Sequence, residues 1–318
     1  MAGPVQAAGP REQSTIDGGK RRCTMTVAAA DIIPDDWPRW SRTRPTLIRT
    51  LANGLTNRSF LLAAGEQQLV LRRNSVISDA LDLNRDTEAR ALHLADSAGL
   101  CAPLVYCDPE HRYLVTRYVP GDRWSPDNAG AFAQLAALLR GIHRLPAIDA
   151  ELDIGDKIDH YRRSIDTGQS PLRSLQSLHQ PVQRHVVAAG ESGNGKVLCH
   201  NDLLADNLIT GADGTLYAID WEYAATGDPF YDLAVICEGQ GLDGDQREKL
   251  LAEYLRHPVS DIDRQRLDHW RIIYGYLSLL WYAVQWSCGA LGSRSMGEEI
   301  SGQIESLSEL ISITARGY

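Results

Sequence analysis

The sequence predicts an α+β protein of two lobes, a small one built on an antiparallel sheet and a larger one that is mostly helical. Three observations predict this. Short apolar runs separated by tight turns occupy the first third of the 318-residue chain, a Pro-Gly pair at 120–121 interrupts them, and longer segments with helical apolar spacing follow. We expect a disordered tail over residues 1–30, a first lobe over 31–119 and a second lobe over 120–318.

The first lobe contains five predicted strands and one predicted helix. The strands are expected at Leu47–Leu51, Ser59–Ala63, Gln68–Arg72, Val105–Cys107 and Tyr113–Tyr118. The helix is expected over Asp79–Ala98, because apolar residues form a stripe along it and Gly99 is suited to cap its end.

The second lobe is predicted to be helical around three short strands. A helix is expected over Ala129–His143, since Pro146 stops it, and residues 150–195 are expected to be helical with open boundaries. The strands are Val197–Cys199, Leu208–Thr210 and Leu216–Ile219, and helices follow near 229–240, 244–256, 262–288 and 296–314.

Composition excludes several classes of protein. The net charge of −9 argues against a nucleic-acid partner, which requires clustered Lys and Arg, and is compatible with a cationic ligand. The six cysteines form no CxxC pair, which is typical of a reducing compartment. We see no secretory signal and no apolar run long enough for a membrane span, so we expect a cytoplasmic protein without a membrane partner. Met25 is an alternative start, and we allow for a homodimer.

The chemistry is concentrated at the ends of two predicted strands. The first strand runs into His200-Asn201-Asp202, and Asn207 lies five residues after the aspartate. The second ends in Ile219-Asp220. Phosphoryl transfer needs a carboxylate to accept the proton of the attacking hydroxyl, and oxygen ligands for Mg²⁺ on the nucleotide. Asp202 suits the first role, and Asn207 with Asp220 suits the second.

The spacing of these residues gives the prediction its specificity. A single HxD is weak, HxDxxxxN is moderate, and the combination with a second strand ending in Asp220 is strong. The alternative is that His200 and Asp202 cap a turn and that Asp220 caps a helix.

At these residues the chain resembles a known superfamily. His200-Asn-Asp202 with Asn207, followed by Ile219-Asp-Trp-Glu-Tyr223, is similar to the catalytic and metal motifs of choline kinases, thiamine kinases and aminoglycoside phosphotransferases. The HND triplet and the run with Asp228-Pro229 and Asp232-Leu233 look most like bacterial choline kinases. The resemblance covers about residues 45–290 and implies a bilobed protein-kinase-like fold, with ATP as co-substrate, Mg²⁺ as cofactor and His200 and Asp202 as catalytic residues.

The resemblance also assigns the nucleotide site in the first lobe. The turn at 53–58, with Thr56 and Asn57, lies where the family covers the phosphates, although a plain hairpin turn is the alternative. Arg72 lies where the family grips the phosphates, with Arg73 as the competing residue, and Glu88 is its expected partner, with Asp86 as the competitor. The segment 116–119, including Arg117 and Val119, lies where adenine would meet the backbone.

The acceptor site is predicted from aromatic and acidic residues in the second lobe. Ring faces attract quaternary ammonium groups, and carboxylates can balance their charge. The residues after the metal motif supply Glu222 and Tyr223 as candidates, with Asp228 and Asp232 as further sources of charge, and the resemblance to choline kinases points to Glu238 and Trp281 as substrate residues. The chain departs from the choline kinase pattern at Ser278, where those enzymes usually have a second Trp, and this leaves room for a larger cation such as thiamine.

Together these features predict a kinase that phosphorylates the hydroxyl of a small cationic alcohol, choline first and ethanolamine or thiamine next. An aminoglycoside or sugar phosphotransferase is the alternative within enzymes, and the aromatic content argues against it. A catalytically inactive kinase-like binding module is the alternative of another class. Such a module would usually have lost Asp202 or Asp220, and this chain retains both.

Overall fold

A computed structural model confirms the predicted bilobed, kinase-like α+β fold. It describes residues 32–53, 57–74, 83–165, 170–193, 195–287 and 294–316. The predicted tail at 1–30 and the predicted phosphate-contacting residue Thr56 therefore lie outside the described residues.

The first lobe is a five-stranded antiparallel sheet with one helix against it. The strands are β1 (Thr46–Asn53), β2 (Asn57–Ala64), β3 (Gln67–Asn74), β4 (Leu104–Cys107) and β5 (Tyr113–Arg117), and the helix is α1 (Arg85–Ser97). Their order across the sheet is β1-β2-β3-β5-β4. The helix begins at Arg85, because the side chain of Asn84 accepts a hydrogen bond from the backbone N–H of Thr87 and so caps the first turn; the predicted first residues, 79–82, lie outside the described residues.

Alternation along the strands decides which side chains reach the site. Phe60, Leu62, Leu69 and Leu71 form a small core on one face of the sheet. Neighbouring residues in a strand point to opposite faces, so Arg72 lies on the other face. The register pairs Ser59 with Arg72 and Asn57 with Asn74, which places Asn57 on the same face as Arg72.

The second lobe begins with a strand that sequence reasoning missed. β6 (Gly121–Arg123) begins at the glycine of the Pro-Gly pair and joins β8 (Leu208–Gly211) and β9 (Leu216–Ala218) in a second sheet. β7 (Val197–Cys199) pairs with another missed strand, β10 (Ala225–Gly227). Position 121 must be glycine where β6 pairs with β8, since a Cβ on Gly121 would lie 2.1 Å from the carbonyl oxygen of Thr210. Both missed strands are short and lack an apolar run, with the sequences Gly-Asp-Arg and Ala-Thr-Gly, so no strand pattern is visible in them.

Seven helices are described in the second lobe. They are α2 (Ala131–Ile142), α3 (Ile154–Ser164), α4 (Ser170–Glu191), α5 (Pro229–Gly239), α6 (Gly244–Leu255), α7 (Asp261–Ser287) and α8 (Arg294–Arg316). The helical region predicted at 150–195 is thus two helices, and the buried residues of α5 and α7 belong to the main core. Among the described helices, none combines the length and apolar character needed to cross a membrane.

Candidate active site

Two loops at strand ends form the floor of the site. β7 runs into His200-Asn201-Asp202, and β9 is followed by Ile219-Asp220. Asn201 and Asp220 have left-handed backbone angles, with φ of 65° and 63°, which non-glycine residues adopt only where the surroundings impose it. The buried imidazole of His200 joins the loops, because its Nε2 donates to the carbonyl oxygen of Ile219 at 3.1 Å. Burial lowers the pKa of His200, so the ring is a neutral donor.

Asp232, on α5, anchors the first of these loops. Its side chain is fully buried, and its two oxygens accept hydrogen bonds from the backbone N–H groups of His200 at 2.9 Å and Asn201 at 2.6 Å. His143 Nε2 lies 3.1 Å from the same carboxylate. Burial alone would raise the pKa of Asp232. The hydrogen bond from His143, together with the electrostatic effects of His143 and His200, lowers this pKa below its ordinary value. The carboxylate therefore stays ionised and holds the loop.

Asp202 and Asn207 form a direct pair in front of the anchored loop. Asn207 Nδ2 donates to both the backbone oxygen and Oδ2 of Asp202, each at 2.8 Å. This leaves the amide oxygen of Asn207 as the atom that can ligate a cation. Burial, followed by the carboxylates of Asp220 and Glu222, raises the pKa of Asp202 well above its ordinary value.

A ring of side-chain contacts, here called the interlobe ring, joins the two lobes beside Asp220. Arg72 contacts Glu88 with one guanidinium nitrogen and Asp220 with another, and Glu88 also pairs with Arg85 at 2.8 Å. Burial alone would lower the pKa of Arg72, but Glu88, Asp220 and Glu222 raise it above its ordinary value. Arg72 on the inner face is thus the partner of Glu88, whereas the side chain of the competing acid Asp86 is 91% exposed and contacts His111.

The ring is completed by Glu222 and Asn57. Arg85 Nη1 donates to Glu222 Oε2 at 3.0 Å, and Asn57 Nδ2 donates to the same oxygen at 2.8 Å. Asn57 Nδ2 also lies 3.4 Å from Asp220 Oδ1. Burial, then Asp220, raises the pKa of Glu222, and Arg72 and Arg85 oppose that shift. Glu222 is therefore engaged with the first lobe and is not an unpaired acid for a substrate.

The donor set fits a Mg²⁺ ion. Among the described residues, nothing donates a hydrogen bond to Asp220 Oδ2, so this oxygen and the amide oxygen of Asn207 are open to a cation. Four carboxylates, on Glu88, Asp202, Asp220 and Glu222, face only two arginines in this network. Oxygen ligands and surplus negative charge are what Mg²⁺ prefers.

A second group of metal-ligating side chains lies behind the loop. His143, Cys199 and Asp232 each offer a ligand atom within 4.8 Å of one another. The oxygens of Asp232 already accept hydrogen bonds from the backbone of 200–201 and from His143. The group therefore serves to hold the loop.

A cleft of about 860 Å³ opens next to Asp202. Its floor includes Asp202, Asn207, Asp220 and Glu222. Its wall is aromatic and is formed by Tyr161, Tyr223, Tyr231, Tyr274, Trp281 and Tyr282. Trp281 Nε1 donates to the hydroxyl of Tyr223 at 3.2 Å, which fixes the two rings relative to each other. Ser278 also lines this cleft, and Asp153 and Asp156 lie on its α3 side.

The structure brings most, but not all, of the predicted site residues together. Glu238 does not line the cleft, because its carboxylate pairs with Arg271, which also contacts Asp268 at 2.8 Å. Arg117 is exposed at the end of β5, and the expectation that adenine meets the backbone of 116–119, including Val119, stays a prediction.

Two expected sources of acceptor charge also have other partners. Asp228 caps α5 and pairs with Arg266 at 2.6 Å, and Asp232 holds the catalytic loop. Sequence reasoning missed Arg85 and His143. The position of Arg85, three residues before Glu88 on one helix, is the only signal that favours it.

Comparisons with known proteins agree with the kinase-like fold. A model of the phosphotransferase enzyme family matches residues 47–270. Ethanolamine kinase 1 of mouse (Mus musculus) is 27% identical over 215 residues, 62% of this chain and 58% of that protein. Thiamine kinase of Escherichia coli is 27% identical over 212 residues, 65% of this chain and 70% of that protein. The crystal structure of choline kinase LicA from Streptococcus pneumoniae superposes with a TM-score of 0.71 at 23% identity, covering 83% of this chain and 94% of that one.

Proposed function

The chain belongs to the phosphotransferase enzyme family, and we propose that it transfers the γ-phosphoryl group of ATP to the hydroxyl of a small cationic alcohol. One observation carries this proposal above the others. Asp202, beside a set of metal-ligating oxygens, opens into a cleft walled by aromatic rings. The first feature suits hydroxyl activation next to a nucleotide, and the second suits a cationic acceptor.

The residues of this chain would divide the reaction as follows. Asp202 accepts the proton of the acceptor hydroxyl, the hydroxyl oxygen forms a bond to the γ-phosphorus, and the bond to the bridging oxygen breaks so that ADP leaves with its electron pair. Asn207 and Asp220 would hold Mg²⁺, which when bound neutralises charge on the phosphates. Arg72 would bind phosphate oxygens with its guanidinium fork, and Glu88 keeps it in place.

The cationic acceptor is supported by what lines the cleft. A quaternary ammonium cannot donate hydrogen bonds, so ring faces and nearby carboxylates must hold it, at roughly 0.5–2 kcal/mol per ring contact. Trp281 and Tyr223 supply rings that a hydrogen bond holds together, and this aromatic wall carries the argument, because Lys157 on the α3 side offsets the carboxylates of Asp153 and Asp156. Choline is the first candidate and ethanolamine the next, in line with the choline kinase and the ethanolamine kinase that the chain resembles.

Thiamine is a second candidate, because of the residue at position 278. The cleft of about 860 Å³ also spans the metal-binding floor at Asn207 and Asp220, so its volume is shared between the acceptor and the nucleotide side. Ser278, in place of the expected Trp, removes one bulky ring from the wall. This feature favours a larger, flatter cation than choline.

We place the enzyme in the cytoplasm, where ATP is available. The described cysteines Cys101, Cys107, Cys199 and Cys237 are all free, which supports a reducing compartment.

The test is an ADP-release assay with ATP or GTP against choline, ethanolamine, thiamine, an aminoglycoside and glucose. We expect ATP- and Mg²⁺-dependent turnover with a cationic alcohol, loss of turnover with EDTA, and loss in Asp202→Asn. Preferred turnover of the aminoglycoside or glucose would contradict the acceptor proposal. No turnover with any acceptor, together with retained Mg–ADP binding, would favour the inactive binding module.

A further inference from the structure

Arg85 is the cationic residue of the interlobe ring for which the proposed reaction supplies no role. It begins α1, and its side chain is only 10% exposed. Its Nη1 donates to Glu88 and Glu222, and its Nη2 donates to Asn57 Oδ1 at 3.2 Å. The guanidinium therefore connects two residues of its own lobe to one residue of the second lobe.

The proposed reaction draws on one contact of this ring. Arg72 contacts Asp220 Oδ1, whereas Oδ2 of the same carboxylate is open to the metal. In the proposed function the guanidinium of Arg72 turns to the nucleotide phosphates, so its contact with Asp220 loosens. Of the contacts in the ring that cross between the lobes, those of Arg85 and Asn57 to Glu222 and the longer one of Asn57 to Asp220 then remain.

Glu222 is well placed to keep the two lobes in contact. It lies two residues after Asp220, and its side chain is 3% exposed. A buried carboxylate needs charged or hydrogen-bonding partners, and its partners here come from the first lobe. Whatever holds Glu222 thus holds the segment 220–222, including the left-handed backbone at Asp220.

We propose that Arg85 is a positioning residue for the nucleotide site, an inference that rests on the proposed phosphotransfer. Through Glu222 it holds the metal-binding segment against the first lobe while Arg72 is exchanged from Asp220 to the phosphates. Arginine suits this role because its rigid fork donates in several directions at once, to Glu88, Glu222 and Asn57. A lysine at this position supplies one compact ammonium group and can satisfy only part of the arrangement.

The experiment compares Arg85→Ala, Arg85→Lys, Glu222→Gln and the double variant Arg85→Ala/Glu222→Gln. Arg90→Ala is the matched control, because Arg90 lies on the same helix and pairs with Asp149 through a side chain that is 59% exposed. The readouts are kcat, KM for ATP, KM for the acceptor, and the Kd of Mg–ADP from calorimetry. Unfolding temperatures monitor the fold of each variant.

We expect Arg85→Ala to lower kcat/KM for ATP by about 10- to 100-fold and to weaken Mg–ADP binding, as for other residues that orient metal ligands. The acceptor KM should stay within about twofold of the wild type. The double variant should be little worse than Arg85→Ala, because the single and the double variant lose the same contact between Arg85 and Glu222. Arg85→Lys should recover part of the loss, and Arg90→Ala should behave as the wild type.

Several results would overturn the inference. One is an Arg85→Ala enzyme with unchanged kcat and unchanged Mg–ADP affinity. Another is an effect on the acceptor KM alone, which would place Arg85 and Glu222 in the acceptor site. If Arg85→Ala does not fold, wild-type kinetics in both Arg85→Lys and Glu222→Gln would overturn it, and reduced kcat/KM for ATP in both would support it.

The proposed function and this inference can fail separately. A wild-type protein that binds Mg–ADP but phosphorylates no acceptor contradicts the proposed function, while weaker Mg–ADP binding in Arg85→Ala still supports the positioning role. A wild-type protein that does not bind Mg–ADP overturns both.

Discussion

Replacing Asp232 with Asn should lower the free energy of unfolding by more than the same replacement at an exposed aspartate. The carboxylate is fully buried and accepts hydrogen bonds from His200 N at 2.9 Å, Asn201 N at 2.6 Å and His143 Nε2 at 3.1 Å. An amide keeps one accepting oxygen, and its NH₂ group must face a donor. One backbone N–H is then left unsatisfied, at about 1–3 kcal/mol, and the remaining bonds lose the strengthening that ionic charge gives.

These two losses sum to about 3–5 kcal/mol, the range measured when one partner of a buried charged group is removed. The assay is urea unfolding followed by tryptophan fluorescence, with kcat measured in parallel. The control is Asp149→Asn, since that side chain is 93% exposed and should leave stability unchanged within error. A loss below about 1 kcal/mol in Asp232→Asn would show that this carboxylate does not anchor the loop.

Two further predictions concern a histidine pair and the acceptor site. His185 Nδ1 lies 2.9 Å from His269 Nδ1, and burial, then His269, lowers the pKa of His185 to about 4. Between about pH 6.5 and pH 4 the unfolded chain therefore binds more protons than the folded protein, so stability should fall as the pH drops through this window. His185→Gln should make this fall, measured as the urea midpoint at each pH, less steep. Trp281→Leu should raise the KM for choline roughly 2- to 30-fold, the equivalent of one lost cation–ring contact, whereas Glu238→Gln should leave it unchanged because Glu238 pairs with Arg271 outside the cleft. Equal effects of these two variants in steady-state kinetics would contradict this placement.

The two-lobed fold could be predicted because its signals are local. Strand runs, turn residues and the Pro-Gly pair each depend on a few neighbouring residues, and long helices such as α7 have many turns in which the apolar spacing is visible. The three-residue strands β6 and β10 could not be predicted in this way. They are defined by partners far along the chain, as in the pairing of Asp122 with Thr210.

The candidate catalytic residues could be located for a different reason. Asp202, Asn207 and Asp220 lie at short sequence separations from two apolar strands. Their proximity in space follows because the ends of these strands meet at one place. Arg85 has no such marker. Its role becomes visible only when Glu222 is seen to approach from the other lobe, a contact between residues 137 positions apart.

Glu238 shows the limit of such spacing arguments, and its contact with Arg271 changes how the acceptor site must be tested. The sequence places it on a helix that starts near the site, but a carboxylate on a helix can face any neighbour, and here Arg271 on α7 takes it. Asp228 and Asp232 are engaged in the same way, by Arg266 and by the catalytic loop. The acidic residues of this helix therefore stabilise the second lobe, and recognition of a cation depends on the aromatic wall. A comparison of choline with its neutral isostere 3,3-dimethyl-1-butanol should consequently be made in Trp281→Leu, where a loss of the preference for choline would locate the cation on that wall, and a preference equal to the wild type would exclude it.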